Sequence, residues 1–230
     1  MAANEYLCLR AAQLAGIKTS VFDLSHDGQM LERFDTVLSG DGSVERLGFE
    51  DIAALAGLRV RDTLSDRKYQ GSYQRVAELL KTLQMEQQDL TCFFAQVAFS
   101  VMVRNGDAHL KNFGVLYRSW SDKWVAPMFD VVTTSIYHYT QYAGGPELED
   151  RTMALKLFAG KGRSKSYPTT EELLVFGSKV CGVSDPQSFL NRIAAGMAQA
   201  LRDAETDARI PVDLLPKMRD AWATGMAYAG

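Results

Sequence analysis

The chain has 230 residues, 47% hydrophobic and 23% charged, enough for one large domain or two small lobes with an ordinary core. Its net charge of −3 gives no basic footprint for direct nucleic-acid binding, and the absence of a leader-like start or a bilayer-length apolar run predicts a soluble, cytoplasmic protein with no membrane contact. The three cysteines, Cys8, Cys92 and Cys181, are far apart, form no C-x-x-C pair and read as reduced thiols in apolar surroundings, which excludes a disulfide scaffold or a zinc motif.

Asn4 reads as the N-cap of a helix over 5–15, with Tyr6, Leu7, Leu9 and Leu14 as its apolar stripe and Gly16 as its stop. Strands are expected over 18–24 and 30–38, joined at His26-Asp-Gly28. A loop at 40–43 and a short helix over 49–56, stopped by Gly57, follow. Residues 59–72 are polar and irregular. Helical periodicity returns over 73–83 and, in the most apolar segment of the chain, over 89–104, where Asn105-Gly106 breaks it. A hairpin is expected from 113–117 and 123–127, then a loop-rich stretch over 140–150. The tail is helical over 169–180, 185–203 and 212–228, with starts at Asp185-Pro186 and Pro211-Val-Asp213. The pattern as a whole predicts an α+β fold that is mostly helical.

The chemistry concentrates where the apolar helix meets the hairpin. Asn105-Gly-Asp-Ala-His-Leu-Lys-Asn112 fills that junction, and Phe129-Asp130 lies just past the second strand. Asp107, Asn112 and Asp130 offer a carboxylate, an amide oxygen and a second carboxylate. Phosphoryl transfer needs this set: one group to orient and deprotonate a hydroxyl, and two oxygens to hold magnesium on ATP. The spacing of Asp107 and Asn112 equals that in the H-R-D-x-x-x-x-N loop of protein kinases. His109 and Lys111 fall between them as candidate donors to the transferring phosphate. A lone D-x-x-x-x-N is common. The succession of helix, loop, hairpin and Phe-Asp is what points to kinase ancestry.

These pieces resemble the HipA family, the serine/threonine-kinase toxins of bacterial toxin–antitoxin systems. Asn4-Glu-Tyr-Leu-Cys-Leu-Arg10 is similar to the family's N-E-x-x-C/L helix, and Leu31-Glu-Arg-Phe-Asp35 to its V-E-R-F-D segment. Phe49-Glu-Asp51 and Lys68-Tyr69 are similar to its Q-E-D and K-Y elements. Gly106-Asp-Ala-His-Leu-Lys-Asn-Phe113 is similar to its catalytic loop, and Pro127-Met-Phe-Asp-Val-Val132 completes the set. The resemblance is close over 4–137 and looser in the tail.

It implies a protein-kinase-like C-terminal lobe over 1–230, with a small N-terminal strand pair. Residues 1–38 would be a remnant of the N-terminal lobe and hinge, and 39–230 the helical lobe. It implies Asp107 as catalytic base, His109 and Lys111 near the phosphates, and Asn112 with Asp130 as Mg2+ ligands. Glu32, Phe34 and Phe129 would lie around ATP; strand alternation alone would instead put Phe34 in the core and Glu32 in solvent. The implied partners are a protein substrate and a HipB-like antitoxin, whose complex, rather than this chain, would contact DNA.

Family members carry, before the region matched here, a Gly/Ser loop over the phosphates and a strand lysine. The first lysine here, Lys18, follows the opening helix, and Gly40-Asp-Gly42 lies beyond the hinge. Three expectations stay open: a truncated chain, a split kinase whose N-terminal lobe is a separate subunit, or a pseudokinase that only binds. Two other functions also remain. Antibiotic and choline kinases use a similar H-G-D-x-x-x-x-N loop, so a small-molecule phosphotransferase is one, with Glu147-Leu-Glu-Asp150 lining an acidic groove. A non-catalytic module that binds an antitoxin is the other.

Overall fold

The computed structural model describes residues 1–25, 28–38, 40–58, 66–140, 142, 145, 147–149 and 151–230. Helix α1 (Ala2–Leu14) opens the chain and is closed at Gly16, whose φ is +76°. Asn4 lies inside its first turn rather than capping it, with a side chain only 1% exposed. Leu14, expected in the apolar stripe, is exposed, while Leu7 and Leu9 are buried.

Strands β1 (Phe22–Ser25) and β2 (Gly28–Leu31) form the expected antiparallel hairpin, Phe22 opposite Leu31. Its turn residues His26 and Asp27 lie outside the described residues. The expected second strand breaks at 32–35, and β3 (Thr36–Leu38) pairs instead with β4 (Val44–Arg46). Arg33 bonded to Asp35 at 2.9 Å, and the Thr36 hydroxyl on the Arg33 carbonyl at 3.0 Å, close the bend.

The helix expected over 49–56 begins only at Ile52; its first three residues belong to a strand. β5 (Gly48–Asp51) precedes a single helical turn, α2 (Ile52–Leu55), which Asp51 caps by accepting from the Ala54 N–H at 2.8 Å. Cross-strand pairing with β6 claims residues 49–51, and the alanine-rich part that follows is helical as expected. Helices α3 (Tyr73–Thr82) and α4 (Gln87–Met102) follow as the periodicity predicts, although 59–65 of the irregular stretch lie outside the described residues. Every residue of α4 from 93 to 102 is buried, so it is a core helix enclosed on all sides.

Strands β6 (Gly114–Tyr117) and β7 (Lys123–Val125) form the expected hairpin, and β5 adds to it in an antiparallel sheet of order β5-β6-β7. A short pair, β8 (His138–Tyr139) and β9 (Leu148–Glu149), crosses the loop-rich stretch. Helix α5 (Thr170–Val175) runs on into a π turn over Phe176–Val180. It is followed by α6 (Pro186–Ala204), capped by Asp185, and α7 (Leu214–Met226). Helix α6 packs on α1, α4 and α7, and α4 reaches β7, so α4 joins the helical layer to the sheet. The main hydrophobic core runs from Leu7 to Tyr228, and a smaller cluster of Leu47, Leu116 and Ala126 lies against Phe34 and Phe49.

The fold is α+β and mostly helical. Among the described residues no helix is long and apolar enough to cross a membrane. The cysteines are free; Cys8 and Cys181 are buried, which pushes each thiol up to about 12, whereas Cys92 is half-buried.

Candidate active site

Helix α4 ends in a Schellman turn. The Asn105 N–H reaches the Ser100 carbonyl at 2.9 Å and the Arg104 N–H reaches Val101 at 3.2 Å, with Arg104 at φ +59°. The turn throws the chain into the 105–112 loop, which is pinned along its length. Asn105 Oδ1 accepts from the Asp107 N–H at 3.0 Å, and the Gly106 N–H donates to Thr134 Oγ1 at 2.7 Å. The buried Tyr73 hydroxyl donates to the Ala108 carbonyl at 2.8 Å.

Asp130 is delivered by the exit from β7. Two buried polar side chains of α4 clamp that exit: Asp89 Oδ1 accepts from the Val125 N–H, and Gln96 Nε2 donates to the Ala126 carbonyl, both at 2.8 Å. The Met128 N–H then donates to the Lys18 carbonyl at 2.8 Å. Past Asp130, Asn4 grips Thr133 in both directions, accepting its N–H at 2.9 Å and donating to its carbonyl at 3.0 Å. Trp222 Nε1 donates to the Thr133 hydroxyl at 2.8 Å. Held on both sides, Asp130 keeps φ at +52°, a left-handed conformation that Asp tolerates better than most residues.

The two ends of the motif meet. Asn112 Nδ2 donates to Asp130 Oδ2 at 2.5 Å, and Asn112 Oδ1 accepts from the His109 N–H at 3.0 Å. Asp107 Oδ1 accepts from the Tyr69 hydroxyl at 2.6 Å. His109 is 6% exposed, its Nδ1 has no partner, and its ring meets Tyr69 edge-on at 5.2 Å. Burial lowers its pKa, with the Asp107 charge acting the other way, so the imidazole is neutral at pH 7. The Lys111 ammonium lies 3.8 Å from Asp51, at the start of α2.

Beside Asp130 opens a cleft of about 560 Å³, lined by Glu5, Ser20, residues 31–35, Phe49 and Phe129. Phe34 stacks on Phe129 with centroids 5.0 Å apart, and Phe49 meets the two edge-on at 5.3 and 6.0 Å. Phe49 needs glycine at 114, because a Cβ there would come within 2.4 Å of its ring. The Ser20 hydroxyl is buried without a partner. Glu32 is exposed at the rim, and Phe34 is half-buried, lining the cleft while packing on the small core cluster of Leu47, Leu116 and Ala126.

Glu5 has its carboxyl pKa raised by desolvation and then by the Asp130 charge, while a hydrogen bond from the Asp130 backbone works against both. A carboxyl raised in the fold favours folding while protonated. That contribution is lost as pH climbs from the ordinary value of about 4.5 through the folded one. Glu5→Gln is therefore expected to raise Tm relative to wild type at about pH 7 and to lose that advantage at about pH 4. Thermal melts across that range read the sign.

Asp107, His109, Asn112 and Asp130 are thus gathered in one site, with Glu32, Phe34 and Phe129 along the adjoining cleft; Lys111 is engaged with Asp51. Sequence reasoning assigned no role to Glu5, Ser20, Phe49 or Tyr69. Glu5 and Tyr69 stand inside the recognised Asn4-Glu5 and Lys68-Tyr69 segments, which was the available signal; Ser20 carried none. The donors fit Mg2+, which takes hard oxygens from one or two carboxylates and completes its shell with phosphate and water. The cleft fits a nucleotide base, with flat aromatic faces at its wall.

The profile of the HipA-like C-terminal domain matches residues 1–205. Two proteins of Sinorhizobium fredii (strain NBRC 101917 / NGR234), provisionally named kinases Y4dM and Y4mE, are 27% identical over 125 residues and 29% identical over 143 residues. These alignments cover 54% and 58% of this chain but 28% and 33% of those proteins. Among solved structures, a chain of the Shewanella oneidensis MR-1 toxin–antitoxin complex of HipA, HipB and operator DNA has a TM-score of 0.68 at 18% identity, covering 100% of this chain and 55% of that one. The Helicobacter pylori proinflammatory kinase CtkA has a TM-score of 0.56 at 16% identity, covering 100% of this chain and 88% of that one. At such identities the structural likeness speaks for the fold alone. The chain spans about a third of the curated relatives it matches.

Proposed function

The chain belongs to the HipA-like C-terminal domain family, and on that basis we propose that it is the catalytic lobe of a serine/threonine protein kinase using Mg-ATP on a protein hydroxyl. The observation that carries this reading is the convergence of Asp107, Asn112 and Asp130 beside a phenylalanine-lined cleft, with Asn112 and Asp130 in contact at 2.5 Å.

Asp107 takes the role of base. Its Oδ1 accepts a phenolic hydroxyl from Tyr69 at 2.6 Å, which is the hydrogen bond an acceptor serine or threonine would make once Tyr69 yields the position. Asp107 then orients that hydroxyl and removes its proton. Asn112 Oδ1 and the Asp130 carboxylate would hold Mg2+, which supplies charge neutralisation on the phosphates. The stacked pair of Phe34 and Phe129 offers the base an aromatic face, and Glu32 with the backbone of 32–35 forms the hinge edge. His109, neutral and with a free ring nitrogen, serves the phosphates as a donor, and Lys111 joins it by leaving its half-exposed pair with Asp51. Glu5, beside Asp130, holds that acid through its backbone and faces any cation reaching in from a further lobe.

The whole chain, 1–230, acts as one C-terminal lobe in this reading, with 1–38 on its hinge side. The front strands and the residue leading into them expose Val21, Met30, Leu31, Leu38 and Val44, apolar side chains suited to being covered by an N-terminal lobe, whether in the same polypeptide or in a separate subunit. A HipB-like antitoxin is the regulatory partner, by analogy with the solved HipA–HipB complex. The protein works in the cytoplasm. Incubation with γ-labelled ATP and Mg2+ tests the reading: label should enter protein serine or threonine in wild type and not in Asp107→Asn. A folded chain that binds Mg-ATP but labels nothing, with or without its antitoxin, is instead a binding module.

A further inference from the structure

Tyr69 ends a single 3-10 turn over Asp66–Tyr69, and a second tyrosine, Tyr73, opens helix α3 just beyond it. The two hydroxyls go to different kinds of partner. Tyr73 is 1% exposed and donates to the backbone carbonyl of Ala108 at 2.8 Å, the ordinary fate of a core phenol. Tyr69 is half-buried, and its hydroxyl donates to a carboxylate oxygen of Asp107 at 2.6 Å. A packing tie needs only an acceptor, whereas Tyr69 takes the acceptor assigned to remove a proton.

The ring is held for that contact from several sides. Lys165 Nζ donates to the Tyr69 carbonyl at 3.0 Å, Lys68 Nζ lies over the ring at 5.0 Å, and the His109 ring meets it edge-on at 5.2 Å. A hydroxyl already fixed on the base needs no diffusional encounter, so transfer to it is unimolecular and spared the entropy of bringing the two together. A phenol also releases its proton more readily than an aliphatic hydroxyl does. Neither argument depends on how the site receives a protein from outside.

We propose that Tyr69 is a self-phosphorylation site, modified in cis at the Asp107 centre. The proposal rests on the kinase reading above, which supplies ATP as the phosphoryl donor. Asp107 takes the phenolic proton. The phenolate oxygen bonds to the γ-phosphorus as the bond from that phosphorus to the β–γ bridging oxygen breaks, and ADP departs with the electron pair. The proton then passes from Asp107 to solvent. Once esterified, the oxygen has no proton to share with Asp107, so each chain is modified once. Placement on the base, and not a preference for aromatic hydroxyls, selects Tyr69, so serine and threonine stay the acceptors in other proteins.

The test takes the whole chain, cleared of phosphate by a phosphatase that is then removed, and incubates it with Mg-ATP and dephosphorylated casein. Peptide mass spectrometry reads both proteins. Phosphate should appear on Tyr69 at a fractional rate that holds constant across about a tenfold range of chain concentration, and should fall by about 100-fold or more in Asp107→Asn. Labelled casein serine with Tyr69 unmodified overturns the inference and leaves the kinase reading standing, whereas no transfer to either protein overturns both. A fractional rate that climbs with concentration also overturns it, because one chain is then modifying another. A second measurement needs no nucleotide: carbon-13 at tyrosine Cζ, with the Tyr69 signal assigned by its loss in Tyr69→Phe. In the unliganded chain that signal should move in Asp107→Ala while the signal of Tyr6, on α1, stays. A Tyr69 signal that stays as well means its hydroxyl is not on the base, and the inference falls.

Discussion

Asp107→Asn is expected to lower phosphotransfer by about 10³-fold while leaving Mg-ATP affinity nearly unchanged, because a general base contributes on the order of 10²–10⁴. The amide keeps the size and shape of the side chain but cannot take the proton. Its neighbours do not depend on its charge for their place: Asp107 is fixed through its backbone N–H on Asn105, and Gly106 through Thr134. Asn112 and Asp130 contact each other rather than Asp107, so the proposed metal ligands stay where they are. Parallel measurements of label transfer and nucleotide binding separate the two effects. A fall in binding equal to the fall in transfer would move Asp107 from the base to the nucleotide site.

Gly225→Ala should cost the fold on the order of 4 kcal/mol, above the roughly 1–3 kcal/mol usual for an added methyl, because the obstacle is backbone. Helix α7 crosses the end of α4 at this glycine. A Cβ there would lie 1.7 Å from the Met102 carbonyl oxygen and 2.6 Å from its carbon. A flexible side chain could give way, but a helix carbonyl cannot, so α7 must slide off α4. The slide would also strain the Trp222 bond to Thr133, at 2.8 Å, and the turn at Arg104 that launches the 105–112 loop. Denaturant unfolding measures the loss. A cost below about 1 kcal/mol would mean the two helices pack less closely than described here.

The 105–112 loop was legible in the sequence because its chemistry is local. Asp107 and Asn112 belong to one short segment, and the apolar helix before it and the hairpin after it carry clear periodicities. The caps at Asp185 and the run of C-terminal helices were legible for the same reason. Asn4 was not. Local rules make Asn before a helix a cap, yet its partner is Thr133, at a sequence separation of 129 residues, and that clamp is what positions Asp130. The strand at Phe49 was hidden likewise, since its identity comes from pairing with β6 and its own four residues are too few to show a strand period. The bend at 32–35 turned one expected strand into two and brought Phe34 onto Phe129, a contact no periodicity encodes. Glu5 and Ser20 reach the cleft only through tertiary packing.

The central claim is that Asn112 and Asp130 form a magnesium–nucleotide site, and calorimetric titration of the chain with Mg-ATP, beside Asp130→Ala, tests it most directly. The account predicts micromolar to low-millimolar binding by the wild-type chain and a loss of about 100-fold in the variant. Equal affinity in the two proteins, or no binding by either, would contradict it.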